Sequence, residues 1–168
     1  MNWMLLSLLL SVLPMAAPDH ALKSAPPKPA LAARTVSACS AVTRSDVLDA
    51  LGRLVSPGEP EAEPGASTCD YAGEGGQVSI TVGHTQEFLD VAAEIDALKA
   101  DLPQAQLREV KGIGTRAFFV DIPGAGTQLH VVRGQHDYLM VSVLGFGTAG
   151  QVSAAAEKLA RRALARLA

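Results

Sequence analysis

The sequence predicts an α+β domain in which an antiparallel β-sheet is packed by helices, in the order α-β-β-α-β-β-β-α, with one disulfide. Three observations predict this class. Apolar and polar residues alternate from Val78 to Val82, as in a strand with one buried face. Three apolar runs separated by turn residues lie between Ala117 and Leu144. Apolar residues recur at helical spacing in the segments 88–98 and 152–167.

The first helix is predicted just after Thr43. The run from Thr43 to Asp46 has the pattern of an N-terminal cap, in which side-chain oxygens satisfy free backbone N–H groups. Gly52 is placed to end this short helix. The apolar residues on its one face are Val47, Leu48, Leu51 and Leu54.

The segment 56–65 is predicted to be a surface loop inside the disulfide ring, because it places three glutamates among prolines and glycines. A cation site built from these glutamates is disfavoured. The prolines hold the carboxylates apart, and the segment has no calcium-loop pattern. A strand containing Cys69 and the strand around Ile80 follow the loop.

The second helix is predicted to begin after Thr85, whose hydroxyl can serve as its N-cap, and to close before Pro103. This is the clearest amphipathic stretch of the sequence. The apolar residues that recur at helical spacing are Phe88, Val91, Ala92, Ile95 and Leu98.

Three antiparallel strands are predicted next, joined by turns at 123–126 and 134–137. The third strand, 138–144, is apolar at nearly every position, which predicts a central strand covered on both sides. A C-terminal helix follows, in which Glu157 and Arg161 are spaced to pair. Its cations Arg161, Arg162 and Arg166 lie where they complement the helix dipole, an interpretation favoured over a membrane-binding patch.

Residues 1–17 are predicted to be a cleaved signal peptide, because the run from Trp3 to Val12 is apolar and small residues follow it. An uncleaved anchor is the alternative. It is disfavoured because Pro14 and Pro18 interrupt a run shorter than the roughly 20 residues that a spanning helix needs. No integral membrane span is therefore expected after cleavage, and the protein is predicted to be exported and to be periplasmic or secreted.

The proline-rich stretch 18–36 is predicted to be an extended tether, and 37–168 a single domain. The residues Val36 to Cys39 superficially match a lipobox, the site at which a lipoprotein precursor is cut before an acylated cysteine. A lipobox directly follows the apolar run, whereas this match lies beyond the tether.

Cys39 and Cys69 are the only two cysteines, and an exported chain meets an oxidising compartment. A disulfide between them is therefore the favoured interpretation. A metal site is the rival, but these cysteines lack the paired Cys-x-x-Cys spacing typical of zinc ligands.

The composition argues against a nucleic-acid partner. The chain of 168 residues has a net charge of −3 and only 14 lysines and arginines, so it offers no strongly positive face for phosphates. A hydrophobic fraction of 48% is enough to form a buried core, while aromatic residues are only 4% and offer little surface for stacking bases or sugars.

One glycine-rich motif resembles a dinucleotide fingerprint. The residues Gly145 to Gly150 read G-x-G-x-x-G between a predicted strand and a predicted helix. A dinucleotide fold also needs a second parallel strand after that helix, which the sequence does not provide. These glycines are therefore interpreted as a turn, and no cofactor is expected.

Three histidines, His84, His130 and His136, are candidate metal ligands, but they have neither His-x-His nor His-Glu-x-x-His spacing. Scattered polar histidines at strand ends are the favoured interpretation. The sequence also has no Gly-x-Ser-x-Gly elbow, and a disulfide would remove the free thiol that a cysteine nucleophile needs. No catalytic residue and no metal ligand is therefore assigned.

Four segments carry a resemblance to a known group of proteins: Ala38-Cys39-Ser40 before the first helix, Cys69-Asp70-Tyr71 entering a strand, 110–114 leading into Ala117-Phe118-Phe119, and the Ala/Leu-rich 156–164. Over roughly Cys39 to Ala168 the chain resembles small exported domains of unknown function, common among actinobacterial-type lipoproteins and similar to kinase extracellular sensor domains. The resemblance implies a disulfide from the first helix to the first strand, a helix-packed antiparallel sheet and no established catalysis.

These observations favour an exported, non-enzymatic binding or interaction module of undetermined ligand. Its partner is expected to be an envelope protein or a small ligand. One alternative is a secreted, metal-assisted hydrolase that uses the scattered histidines. Another is a structural protein of the cell envelope.

Overall fold

The computed structural model describes residues 36–168, so the predicted signal peptide and all of the predicted tether except Val36 lie outside the described residues. The helices are α1 (Ala38–Ala41), α2 (Arg44–Leu51), α3 (Val91–Asp101) and α4 (Ala149–Leu167). The strands are β1 (Glu59–Glu63), β2 (Ala66–Gly73), β3 (Gly76–His84), β4 (Gln106–Val110), β5 (Arg116–Ile122), β6 (Gly126–Arg133) and β7 (Asp137–Leu144).

The strands form one antiparallel sheet in the order β1-β2-β3-β7-β6-β5-β4. β7 is the central strand, between β3 and β6. In register, Val141 of β7 lies opposite Ile80 on one side and Leu129 on the other. These three side chains are fully buried, so the middle of the sheet is also the middle of the core.

Helices cover the two faces of the sheet unequally. On one face α1, α2 and α4 pack on the main core, which includes Ile80, Val141 and Leu159. On the other face α3 forms a smaller core through Val91, which packs with Phe118 of β5 and its neighbours. Alternation of side chains along each strand separates the two cores.

The half of the second face formed by β1, β2 and β3 is polar, and no helix of residues 36–168 packs its apolar side chains there. Thr68 and Thr81 hydrogen-bond across neighbouring strands at 3.0 Å. At the sheet edge, Glu61 lies opposite Thr68. The domain therefore has one fully covered face and one that is covered on only half of its width.

The cap predicted for the first helix is confirmed in α2. The Asp46 carboxylate accepts a hydrogen bond from the Thr43 backbone N–H at 2.8 Å, and the Thr43 hydroxyl accepts one from the Asp46 N–H at 3.4 Å. Gly52 ends the helix with a φ of +66°, in the left-handed region that favours glycine.

Two arginines of α4 form ion pairs that hold α2 against α4. Arg166 donates to both carboxylate oxygens of Asp46, and Arg162 donates to Asp46 at 3.1 Å and also to Asp49. Arg166 additionally donates to the Ala41 carbonyl at 2.8 Å. The arginines expected at the helix end therefore hold α1 and α2 in place, while the predicted Glu157–Arg161 pair forms at 2.8 Å.

The α+β class and the Cys39–Cys69 disulfide are confirmed. The bond joins α1 to β2, with Cα atoms 5.1 Å apart, and Cys69 is fully buried. The observed order of elements differs from the prediction, because α1, β1 and β4 were not predicted.

The prediction of a loop throughout 56–65 is wrong, because Glu59–Glu63 forms the edge strand β1. All five residues of β1 are exposed. Charged residues and proline are tolerated on an edge strand, where one side of the backbone has no partner strand. Pairing with β2 therefore gives strand structure to a sequence of low intrinsic strand propensity.

The predicted start of the second helix is also wrong. Asp90, not Thr85, is the N-cap: its carboxylate accepts hydrogen bonds from the N–H groups of Ala92 and Ala93. Phe88 lies before the helix and is 71% exposed. The three-strand meander β5-β6-β7 is confirmed, as are α4 and the strand β3. Among residues 36–168, no helix combines the length and apolar character that crossing a membrane requires.

Candidate functional site

The candidate site is an apolar slot at the end of the sheet where β3 ends and β7 begins. Its volume is about 90 Å³. Strands β3 and β7 form its floor, and the last two turns of α4 form one wall. Its apolar lining consists of Val36, Val82, Leu139, Leu164 and Leu167.

Three polar side chains surround the mouth of this slot and are bonded to one another. His84 Nδ1 lies 2.7 Å from Asp137 Oδ1, and Arg133 donates to Asp137 Oδ2 at 3.3 Å. Arg133 also donates to the carbonyl of Leu167, near the C-terminus of α4, at 2.5 Å. At the mouth, the charges of Arg133 and Asp137 therefore already neutralise each other.

The hydrogen bond from His84 lowers the pKa of the Asp137 carboxyl from its ordinary value. Partial burial opposes this shift, and the nearby Arg133 adds to it. Asp137 is therefore ionised at neutral pH and acts as an acceptor.

Tyr138 completes the polar side of the slot. It lies opposite Gly83 in the β3–β7 register, and a Cβ at Gly83 would overlap the Tyr138 ring. Because glycine leaves that space free, the ring lies flat across the neighbouring strand. Gly83 thus positions one of the side chains that line the slot.

The structure brings together two of the three candidate histidines. The ring centroids of His84 and His136 are 5.8 Å apart, with an angle of 42° between the ring planes. Phe88 also packs on His136, at a ring-centroid distance of 5.1 Å. His84 ends β3 and His136 lies in the β6–β7 turn, so antiparallel pairing places them at the same end of the sheet.

His130 lies apart from this pair. Its Nδ1 is 2.9 Å from Glu94 of α3, and its ring stacks on Phe118 at 4.9 Å. Its Nε2 is buried without a hydrogen-bond partner. A carboxylate only accepts hydrogen bonds, so Nδ1 carries the proton and Nε2 has the lone pair.

Cys39 and Cys69 offer no free thiol to the site, because both sulfurs form the disulfide. Within the described part of the chain, no group of three or more His, Cys, Asp or Glu side chains is arranged to hold a metal ion. The glutamates of β1 therefore form no such cluster with one another.

The glycine-rich motif 145–150 is a turn that enters α4. Gly145 has a φ of +78°, and a Cβ there would overlap the Gly75 carbonyl oxygen. After the turn, the Gln151 side chain accepts a hydrogen bond from the Thr148 N–H at 2.8 Å. The Thr148 N–H, one of the donors that a phosphate would use at the start of this helix, is thus already bonded within the protein.

The slot was not visible in the sequence, because its lining comes from four separate segments. Val36 belongs to the predicted tether, and Leu164 and Leu167 read as ordinary core positions of an amphipathic helix. Comparisons of the chain with protein-family models, with curated proteins and with solved structures found no match.

Proposed function

We propose that this chain is an exported, non-enzymatic binding module whose slot takes a small apolar group of its ligand. The observation that carries the proposal is the apolar slot between β3, β7 and α4, with a few convergent polar groups at its mouth. Ligand sites commonly combine these two features. The resemblance to small exported domains similar to kinase extracellular sensor domains agrees with a binding role.

The size of the slot limits what enters it. Its volume of about 90 Å³ is smaller than the roughly 150 Å³ apolar cavity that accepts a benzene molecule. A branched aliphatic group of isopropyl or isobutyl size is the class that fits. Such a group gains free energy by leaving water for the apolar lining.

The paired charges at the mouth of the slot favour a ligand whose polar part is uncharged. Arg133 and Asp137 neutralise each other, and His84 is bonded to Asp137. A charged ligand group would have to compete with these internal bonds, whereas a neutral polar group can add to them.

The same groups argue against hydrolysis. His84 and Asp137 resemble the base and the orienting acid of a hydrolytic triad. Among residues 36–168, however, no serine or threonine hydroxyl hydrogen-bonds to His84, and both cysteines are in the disulfide. Binding without chemistry is therefore the function that this geometry supports best.

The slot is tested by titrating isobutanol into isotopically labelled protein and following backbone amide signals by NMR. We expect saturable shifts confined to the slot, at residues such as Val82, Leu139 and Leu164. Leu164→Trp, which fills the slot, should remove them. The matched control is Leu102→Trp, a partly buried leucine of the smaller core on the other face of the sheet.

Shifts spread evenly over both cores, or binding that survives Leu164→Trp, would overturn the slot assignment. Leu167→Ala is the independent variant, because it enlarges the slot and should allow benzene to bind more tightly than in the unmodified protein. A failure of both variants to change binding also counts against the proposal.

Export is tested separately with a reporter enzyme that is active only outside the cytoplasm. Residues 1–37 fused to this reporter should give activity, and deletion of residues 1–17 should abolish it. Mass spectrometry of the released protein then identifies its N-terminus. Activity that persists after the deletion contradicts the predicted signal peptide.

A further inference from the structure

Two histidine rings lie close together at the end of β3, and one of them, His84, lines the slot. His84 is exposed and His136 is half-buried, and their centroids are 5.8 Å apart. Phe88 packs on the His136 ring at a centroid distance of 5.1 Å. These two histidines are far apart in sequence, so the pairing exists only in the folded sheet.

The hydrogen bonds fix which nitrogen of each ring carries the proton. His84 Nδ1 lies 2.7 Å from the Asp137 carboxylate, and His136 Nδ1 lies 3.2 Å from the Glu87 backbone carbonyl. Carboxylates and carbonyls only accept hydrogen bonds, so both Nδ1 atoms are donors. In each neutral ring the lone pair is therefore on Nε2.

This arrangement is the one that metal-binding histidines commonly show. A ligating imidazole usually donates its second N–H to a carboxylate or a backbone carbonyl, which fixes its tautomer and orientation. Both partners are present here, and neither Nε2 has a hydrogen-bond partner within residues 36–168. Hydrogen bonds from Nδ1 therefore orient both rings, and the Nε2 lone pairs are not used in them.

The spacing of the rings also fits a shared ion. A metal–nitrogen distance of about 2.0 to 2.1 Å places each ring centroid roughly 3.2 Å from the metal. At the tetrahedral angle, two rings on one ion then have centroids about 5.2 Å apart. The observed 5.8 Å is wider than this spacing by about 0.6 Å and corresponds to an N–metal–N angle of roughly 130°.

We propose that His84 and His136 form a two-histidine site for a divalent transition-metal ion such as Zn²⁺, Ni²⁺ or Cu²⁺, bound through both Nε2 atoms. Asp137 and the Glu87 carbonyl are its positioning groups. Because no cluster of three ligands exists among residues 36–168, the remaining coordination positions are filled by water or by a group from a bound partner. Imidazole ligands suit these ions.

His130 provides an internal comparison. It shares the Nδ1 bond to a carboxylate, but its Nε2 is buried and its ring is stacked on Phe118. Because this Nε2 is shielded from solvent, a hydrated ion cannot reach it without a local opening of the structure. Residues 36–168 therefore contain one histidine with the same tautomer and a buried Nε2, in contrast to the His84–His136 pair.

The test uses the untagged full chain and titrates Zn²⁺ and Ni²⁺ in turn, with calorimetry for affinity and imidazole ¹⁵N NMR for the site. We expect the Nε2 signals of His84 and His136 to respond before those of His130 and of His20, the fourth histidine of the sequence. His84→Ala and His136→Ala should each weaken binding at least about tenfold. Asp137→Asn should weaken it by about 10-fold or more, through lost orientation of the ring.

His20→Gln and His130→Gln are the controls and should leave the affinity unchanged. Amide spectra of each variant establish that the fold is retained. The proposal is overturned if millimolar metal leaves both Nε2 signals in place, or if the double variant His84→Ala/His136→Ala binds as tightly as the unmodified chain. Neither outcome depends on whether the slot accepts an apolar ligand.

Discussion

Arg166 donates to both carboxylate oxygens of Asp46 across 120 residues of sequence, at 2.5 and 3.1 Å. Asp46 is also part of the capping box of α2. One carboxylate therefore both caps α2 and binds it to α4. Its residue is only 7% exposed. The hydrogen bond from Arg166 holds the pKa of this carboxyl well below its usual range, although burial opposes the shift.

Asp46→Ala should destabilise the domain by about 2 to 3 kcal/mol, because it removes the carboxylate half of the capping box and leaves Arg166 without its charged partner. The measurement is the free energy of unfolding from urea titration. Asp49→Ala is the matched control: Asp49 pairs with the same helix through Lys158 and Arg162, but it is exposed. A loss in Asp49→Ala as large as in Asp46→Ala would contradict this account.

The stability of the domain should fall with acid partly through Asp46. Because its folded pKa is lowered, the unfolded state binds more protons as the pH drops, and stability decreases. The contribution is complete above an unfolded pKa of about 4 and is lost as the pH falls toward the folded value. Unfolding titrations between pH 7 and pH 2 should give a flatter profile for Asp46→Asn than for the unmodified protein.

Parallel profiles for Asp46→Asn and the unmodified protein would show that other carboxyls set the acid sensitivity. Asp121 is the main alternative: burial raises the pKa of its carboxyl, but hydrogen bonds from Arg108 and Thr127 outweigh burial and lower it. Asp121→Asn therefore serves as the comparison in the same titration.

Local signals explain why part of the fold could be predicted. The capping pattern at Thr43 and the left-handed Gly52 act within one helix, and the alternation around Ile80 reflects a single buried face. The apolar run of β7 predicts a central strand, and β7 does lie between β3 and β6. The cap, the glycine and the alternation are each recognisable from a few consecutive residues.

The errors arise where tertiary contacts override local sequence. Thr85 has the chemistry of an N-cap, but its N–H bonds to the His136 carbonyl at 2.8 Å and the Leu89 N–H bonds to the Gln135 carbonyl at 3.0 Å. The segment before α3 is therefore held on the β6–β7 turn, and the helix begins only after Asp90. The slot escaped prediction for the same reason. His84 and His136 were candidate ligands, but their proximity was not the favoured interpretation, since these residues meet only in the folded sheet.

Removing the disulfide should lower stability by about 3 to 4 kcal/mol on the chain-entropy model, because the bond closes a loop with a sequence separation of 30. The variant is Cys39→Ala/Cys69→Ala, and the measurement is the urea midpoint with and without reductant. Reductant should bring the unmodified protein close to the variant and leave the variant itself unchanged. An unmodified protein that keeps its midpoint after verified reduction would show that the bond contributes little.

Two substitutions in the glycine-rich motif should act in opposite directions. Gly145→Ala places a Cβ at a φ of +78° and against the Gly75 carbonyl, so we expect a loss of about 1 to 3 kcal/mol. Gly150 lies in the first turn of α4, and a Cβ added there would meet open space, so Gly150→Ala should stabilise by about 0.5 kcal/mol. Thermal unfolding of both variants measures the contrast. Equal losses at the two positions would mean that the motif does more than turn the chain, because a turn alone requires glycine only at its strained position.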